Sequence, residues 1–321
     1  MSRIILHAGM HKTGTSSIQA ILNSNRSSLK NNDWEYVFLP KDAKAAYGYI
    51  HGSPDSYTYT EAKKELEEIV SGSDCKNFIF SSEDMTAALQ SEDLWMSKGE
   101  RVSQLFESLG NIEVLIYYRK QDSFYESAFQ QRAKEGVPLN FKETLKRLPI
   151  MSSMDWYSKF KIFESCFSDS KFTYISYEKA HSGIGITGSF LKYATLNDII
   201  PIGHSKSNNA SSKILTRIFA EYGPILDPHD QSLLSDVLCK YERTGDFRRY
   251  KLLSLEDRLS IFENYYQSNK NLYSICANAD VVDLDIWRAD LLSEYSNNCE
   301  NNIDIKDIIR DLLKLISVSH K

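Results

Sequence analysis

Six consecutive residues, His11-Lys12-Thr13-Gly14-Thr15-Ser16, carry the densest chemistry in the chain. They offer a fixed cation, an imidazole, three hydroxyls and a glycine, and no acid. That set suits an anion: Lys12 is a point charge, and Thr13, Thr15 and Ser16 are hydroxyl donors. The flanking residues make it a phosphate site in form. Residues 4–6 form a short apolar run, as a buried strand would, Gly9 and Gly14 bracket a turn, and Ser16 to Leu22 reads as a helix. Strand, glycine turn and helix present backbone N–H groups and a positive helix end to a phosphate. A second set lies further on. Arg119 ends a strongly apolar strand, and Ser127 lies eight residues later in the following helix. An arginine fork with a hydroxyl can grip a second phosphate.

The first motif is not a Walker A loop, which needs its lysine directly after the second glycine. Here Lys12 precedes Gly14. The order Lys-Thr-Gly-Thr, within His-x-Gly-x-x-Lys-Thr-Gly-Thr-x-x-Ile-Gln, resembles the 5′-phosphosulfate loop of sulfotransferases that use 3′-phosphoadenosine 5′-phosphosulfate (PAPS). The form is most similar to the bacterial members that modify glycans and capsules. Strand-Arg-x7-Ser-helix is similar to the motif with which that family binds the 3′-phosphate, although Lys120-Gln121 replaces the usual Asn-Pro. The resemblance implies PAPS as co-substrate, adenosine 3′,5′-bisphosphate as product, and a carbohydrate or glycolipid acceptor. It further implies that Lys206, Asn209 and Ser211 belong to a loop closing over the nucleotide. Asn-Ala-Ser before a helix is equally a plain N-cap. It covers about residues 3–22 and 77–135, and more weakly 170–272.

Sulfuryl transfer to a hydroxyl needs a proton acceptor at the attacking oxygen and positive charge at the leaving phosphate. Lys12 fits the second need. For the first there are two candidates, Glu83 at the end of the third strand and His51 in a polar stretch expected to be a loop facing the acceptor. His7 is expected to support the turn by hydrogen bonding, and His11 to touch the anion or face solvent. No aspartate stands where a Walker B motif would hold magnesium, so the expected reaction is metal-independent.

These groups need a scaffold that brings strand ends together. Apolar runs at 4–6, 36–39, 77–81, 113–118 and 171–177 alternate with helical patterns near 15–25, 59–70, 99–109, 122–134 and 155–167. That alternation predicts an α/β core, a three-layer and mostly parallel sheet, over about residues 1–200. Pro40 is expected to stop the second strand. Beyond 200 the pattern becomes helical, near 211–221, 228–241, 255–269 and 304–317, with Ser254 and Asp257 forming a capping box. Residues 201–321 are thus expected to be a helical extension packed on the core and closing the site.

The composition is that of an ordinary globular protein, 42% hydrophobic and 25% charged. A net charge of −5 argues against nucleic acid as partner. No run approaches the ~18–20 apolar residues of a membrane span. A strand starting at residue 3 leaves no room for a leader or anchor, though peripheral membrane contact stays open. The five cysteines (75, 166, 239, 276 and 299) have no zinc or disulfide spacing, so a cytoplasmic protein is expected. Tyr47, Tyr49, Tyr57, Tyr59, Trp34 and Trp95 could line a sugar-stacking groove, although most are expected to be ordinary packing. Two other readings remain: a P-loop kinase or NTPase, disfavoured by the lysine order, and an inactive nucleotide-binding scaffold, disfavoured by intact Lys12, Arg119 and Ser127.

Overall fold

The structure is a computed structural model that describes residues 2–52, 57–86, 91–134, 154–201, 253–277 and 284–296. In chain order its elements are β1 (Arg3–Ala8), α1 (Thr15–Ser24), α2 (Arg26–Asn31), β2 (Trp34–Phe38), α3 (Leu39–Asp42), α4 (Lys44–His51), α5 (Tyr59–Ser71) and β3 (Asn77–Ser82). A 3-10 turn (Glu83–Met85), α6 (Glu92–Phe106), β4 (Asn111–Tyr118), α7 (Gln121–Lys134), α8 (Trp156–Ser165) and β5 (Ser170–Ser176) follow. Last come α9 (Tyr177–Ser182), α10 (Gly185–Tyr193), α11 (Leu255–Asn264), α12 (Tyr266–Ile275) and α13 (Leu284–Ser296). The strands form one sheet in the order β2-β3-β1-β4-β5, and every pairing is parallel.

The chain divides into two compact units. The first is Met1–Lys120, Met151–Asn208 and Tyr265–Val282; the second is Gln121–Ile150, Asn209–Asn264 and Asp283–Lys321. The first holds the whole sheet. Its strands read as near-continuous apolar runs because both faces are covered, as a parallel sheet requires. On one face Ile5, Ile79, Leu115, Tyr117 and Ile175 pack with Ile18 and Leu22 of α1 and Phe190 and Leu191 of α10. On the other, Phe80 meets Phe106 of α6 edge-on at 4.8 Å, and Phe160 of α8 stacks on Tyr174 at 5.1 Å. Each large apolar side chain removed wholly from water contributes roughly 1.5–3 kcal/mol. In the second unit, Arg258 of α11 forms buried ion pairs with Asp122 and Glu126 of α7, and Phe262 packs edge-on against Trp287 of α13 at 4.7 Å. Among the described residues no helix is long and apolar enough to cross a membrane.

Several boundaries differ from the sequence expectation. The stretch 41–60, expected as a loop around His51, instead holds the end of α3, all of α4 and the first residues of α5. Strand β2 ends at Phe38, and Pro40 lies in the first turn of α3, where its missing N–H costs nothing. Ala45, Ala46 and Ile50 of α4 are buried, and Glu65 of α5 accepts the Ala46 N–H at 2.9 Å. Helix α6 begins at Glu92, where Ser91 caps the Leu94 N–H, and runs through Gly99. Helix α2 occupies the polar stretch 23–32, which by composition reads as a turn or a frayed helix end, and α9 and α10 follow β5 unforeseen. The stretch 255–269 is two helices, broken at Tyr265; the Ser254–Asp257 capping box forms as read. The helices expected near 211–221, 228–241 and 304–317 lie outside the described residues.

Candidate functional site

From β1 the chain moves to one side, through β2 and β3, and then crosses to β4 and β5 on the other. Strand β1 is therefore the point where the winding reverses, and open α/β sheets bind ligands beyond the carboxyl ends of the strands there. The residues just past those ends are the 9–14 turn after β1, Glu83 after β3, Arg119 after β4 and Glu178 after β5.

The turn is shaped by two glycines and one strained lysine. A Cβ at Gly9 would lie 2.2 Å from Thr15 Oγ1, so only glycine admits the start of α1. Gly14 has φ +84, in the left-handed region open to glycine. Lys12 has φ 67, which a side chain seldom adopts. The Thr13 hydroxyl is buried and donates to Met10 O at 2.6 Å. It holds the turn together, which differs from its expected role as a donor to an anion. Helix α1 starts with no side-chain cap and no acid in its first turn. Thr15 Oγ1 is buried with no partner, and Ser16 is exposed. The first backbone N–H groups of α1 therefore have no side-chain acceptor from a cap residue.

Parallel register sets the next group. Ala8 pairs with Ser82, which puts Glu83 level with the start of the turn. The 3-10 turn is held by Ser82 Oγ accepting from the Asp84 N–H at 3.1 Å, by Thr86 Oγ1 donating to Gly9 O at 3.2 Å, and by Lys98 Nζ donating to Asp84 O at 2.6 Å. His11 Nδ1 lies 3.5 Å from Glu83 Oε2, and each side chain is 43% exposed. The hydrogen bond from His11 pulls the Glu83 carboxyl below its ordinary value, against partial burial, and the Lys12 charge adds to it. His51 is exposed at the end of α4, with its ring 5.7 Å from that of Tyr47. Tyr47 donates to Asp84 Oδ2 at 3.0 Å, so His51 stands two residues removed from Glu83.

His7 is wholly buried, edge-on to Tyr117 and Phe190, with Nδ1 2.8 Å from Ser81 Oγ and Nε2 without a partner. Gln19 donates to the same hydroxyl at 3.3 Å, tying α1 to β3. Burial pushes the His7 pKa down from 6.5 to about 3. The folded chain keeps this imidazole neutral while the unfolded chain protonates it, so stability falls as pH drops through that window. Wild type is expected to lose up to about 1.4 kcal/mol per pH unit below 6 from this group alone. Urea midpoints at pH 7, 6 and 5 check it: His7→Gln should flatten the slope, and an unchanged slope would assign the acid sensitivity elsewhere.

Arg119 is three-quarters buried. Its Nη1 donates to Lys12 O at 3.1 Å, its Nε lies 3.9 Å from Glu178 Oε1, and its guanidinium sits 4.8 Å over the Tyr177 ring. Glu178 Oε1 also accepts the Lys120 N–H at 3.0 Å. Burial raises the Glu178 carboxyl pKa, opposed by its own backbone N–H, by the Arg119 charge and by the Lys120 N–H. Sequence reasoning passed over Glu178. The available signal was its place directly after a strand, the same place that singled out Glu83. Ser127 lies half-buried in α7 of the second unit. Lys206, Asn209 and Ser211 lie outside the described residues.

Of the aromatic candidates, Trp95 is fully buried against Phe160, and Trp34 is buried beneath Arg3. Neither is open to a sugar. Tyr57 and Tyr59 are exposed.

The fold defines the class of protein: an α/β protein built on a five-stranded, all-parallel sheet. No protein-family model matches the chain, and no curated protein matches it either.

Proposed function

We propose that the chain transfers a sulfuryl group from PAPS to a hydroxyl of a carbohydrate acceptor, in the manner of the sulfotransferases its two motifs resemble. The observation that carries this reading is the meeting of the motifs: Arg119, from the second, donates to the backbone of Lys12, in the centre of the first. Two cations more than a hundred positions apart thus serve one sheet edge. A helix end without a side-chain cap or a first-turn acid fits a phosphosulfate there. Lys12 would stand by the 5′-phosphate oxygen that keeps the electron pair of the broken S–O bond. Glu83 would take the proton of the acceptor hydroxyl as its oxygen bonds to sulfur. Arg119 would serve the 3′-phosphate, a role the resemblance also gives to Ser127, and the cytoplasm is the proposed compartment.

Calorimetric titration tests the reading. Adenosine 3′,5′-bisphosphate is expected to bind at least tenfold tighter than ATP with magnesium; the reverse order would favour a kinase or NTPase. Turnover with PAPS separates an enzyme from an inactive scaffold. Ser127→Ala is expected to weaken adenosine 3′,5′-bisphosphate several-fold and to leave adenosine 5′-phosphosulfate, which lacks the 3′-phosphate, within twofold. Equal losses would remove Ser127 from the 3′-phosphate assignment.

A further inference from the structure

We propose that Arg119 positions Lys12: it is a strut that holds the anion turn in its strained shape, beyond any contact it makes with a phosphate. The inference rests on the nucleotide reading only for its functional consequence. The strut itself stands on geometry within the first unit.

Lys12 has φ 67, and L side chains leave that region unless something holds the backbone there. Within the turn, Thr13 Oγ1 fastens Met10 O at 2.6 Å. That bond ends at the Met10 carbonyl, two peptide units before the Lys12 carbonyl. Arg119 Nη1 reaches this carbonyl at 3.1 Å. Because the peptide unit is planar, anchoring its oxygen fixes ψ at Lys12, and so the direction in which the side chain leaves the turn.

The strut is itself braced. Trp156 Nε1 of α8 donates to Arg119 O at 2.9 Å, fixing the backbone. Glu178 and the Tyr177 ring flank the guanidinium from the corner after β5. Glu178 Oε1 also binds the Lys120 N–H, so one carboxylate oxygen sets both the charge and the local backbone. The guanidinium is planar and carries several donors, so it can face the carbonyl, the carboxylate and the ring at once. A lysine ammonium, a point charge on a flexible stem, has no fixed planar fork to hold these directions together. The result links the turn after β1 to the ends of β4 and β5, so the positioning of Lys12 depends on residues far from it in sequence.

Two readouts test this on the full-length chain. Hydrogen exchange on ligand-free protein needs no nucleotide. In Arg119→Ala, the amides of residues 10–16 are expected to exchange at least tenfold faster, with those of β1 and β4 within twofold of wild type. Unchanged exchange in the turn would overturn the strut. If Arg119→Ala does not fold, Arg119→Lys replaces it with the same expectation. The second readout is affinity for adenosine 5′-phosphosulfate, which has no 3′-phosphate for Arg119 to meet. Arg119→Ala is expected to lose tenfold or more in wild type but threefold or less in a Lys12→Ala background, because acting through Lys12 makes the two losses non-additive. Affinity unchanged by Arg119→Ala, or equal losses in both backgrounds, would overturn the positioning of Lys12. If wild type binds neither nucleotide, the proposed function fails, and the exchange result still decides the strut.

Discussion

Lys12→Ala is expected to lower sulfuryl transfer by ~10²–10³-fold, the usual cost of deleting one preorganised charge at a developing anion. Three features of the turn make the experiment clean. The alanine pays the same left-handed backbone cost as the lysine it replaces, since Lys12 has φ 67, so the comparison isolates the side chain. The turn has its own bond from Thr13 to Met10 O, and Arg119 bonds the Lys12 carbonyl, which alanine retains. The fold around it is anchored by fully buried Ile4, Ile5 and Leu6 of β1. Melting temperature should therefore stay within a few degrees while turnover collapses. Single-turnover rates with saturating PAPS measure the chemical step directly. A variant with near-normal turnover would remove Lys12 from the transition state and, with it, the mechanism. Lys12→Gly is a useful companion: it removes the charge and relieves the backbone, so it should be as inactive as alanine and slightly more stable.

Glu83→Gln is expected to lower turnover by ~10²–10⁴-fold, the range of acid–base catalysis, with nucleotide affinity within a few fold. Glutamine keeps the volume and most of the hydrogen-bonding shape but cannot take a proton. The 3-10 turn that carries residue 83 is secured by Ser82, Thr86 and Lys98, none of which bonds the Glu83 carboxylate, so its geometry should survive. The pH profile adds a signed test. The His11 hydrogen bond, then the Lys12 charge, holds the Glu83 carboxyl below its ordinary value of 4.5. The carboxylate is therefore ionised, and able to accept a proton, down to that lowered pKa, and activity falls as pH drops through it. The acid limb should vanish in Glu83→Gln. If His51→Ala removes the limb and Glu83→Gln does not, the exposed imidazole at the end of α4 is the base. Mild effects from both would place the base on another residue.

The local elements were largely written in the sequence. Apolar runs such as Phe78-Ile79-Phe80 and Val114-Leu115-Ile116 specify buried strands because a parallel sheet hides both faces, and no tertiary knowledge is needed to see that. The turn after β1 was legible for a similar reason: Gly9 and Gly14 answer local demands, and a lysine among hydroxyls has a narrow range of uses. Where local preference was weak, packing decided. Residues 41–60 look like a loop by composition, yet Ala45, Ala46 and Ile50 are buried and Glu65 supplies a partner to the α4 backbone, so α4 exists because α5 covers it. The same holds for side-chain roles. Thr13 could have faced an anion by type, but its hydroxyl turns inward to Met10. Trp95 could have stacked on a sugar, but it is closed into the core. Most of all, the junction of Arg119 with Lys12 and Glu178 had no signal in spacing. Strand order puts β1 between β3 and β4, and β5 beside β4, so the residues that follow these strands meet at one edge. Residue types name the groups that can do chemistry. Only the crossovers of the sheet determine which of them stand within reach of one another.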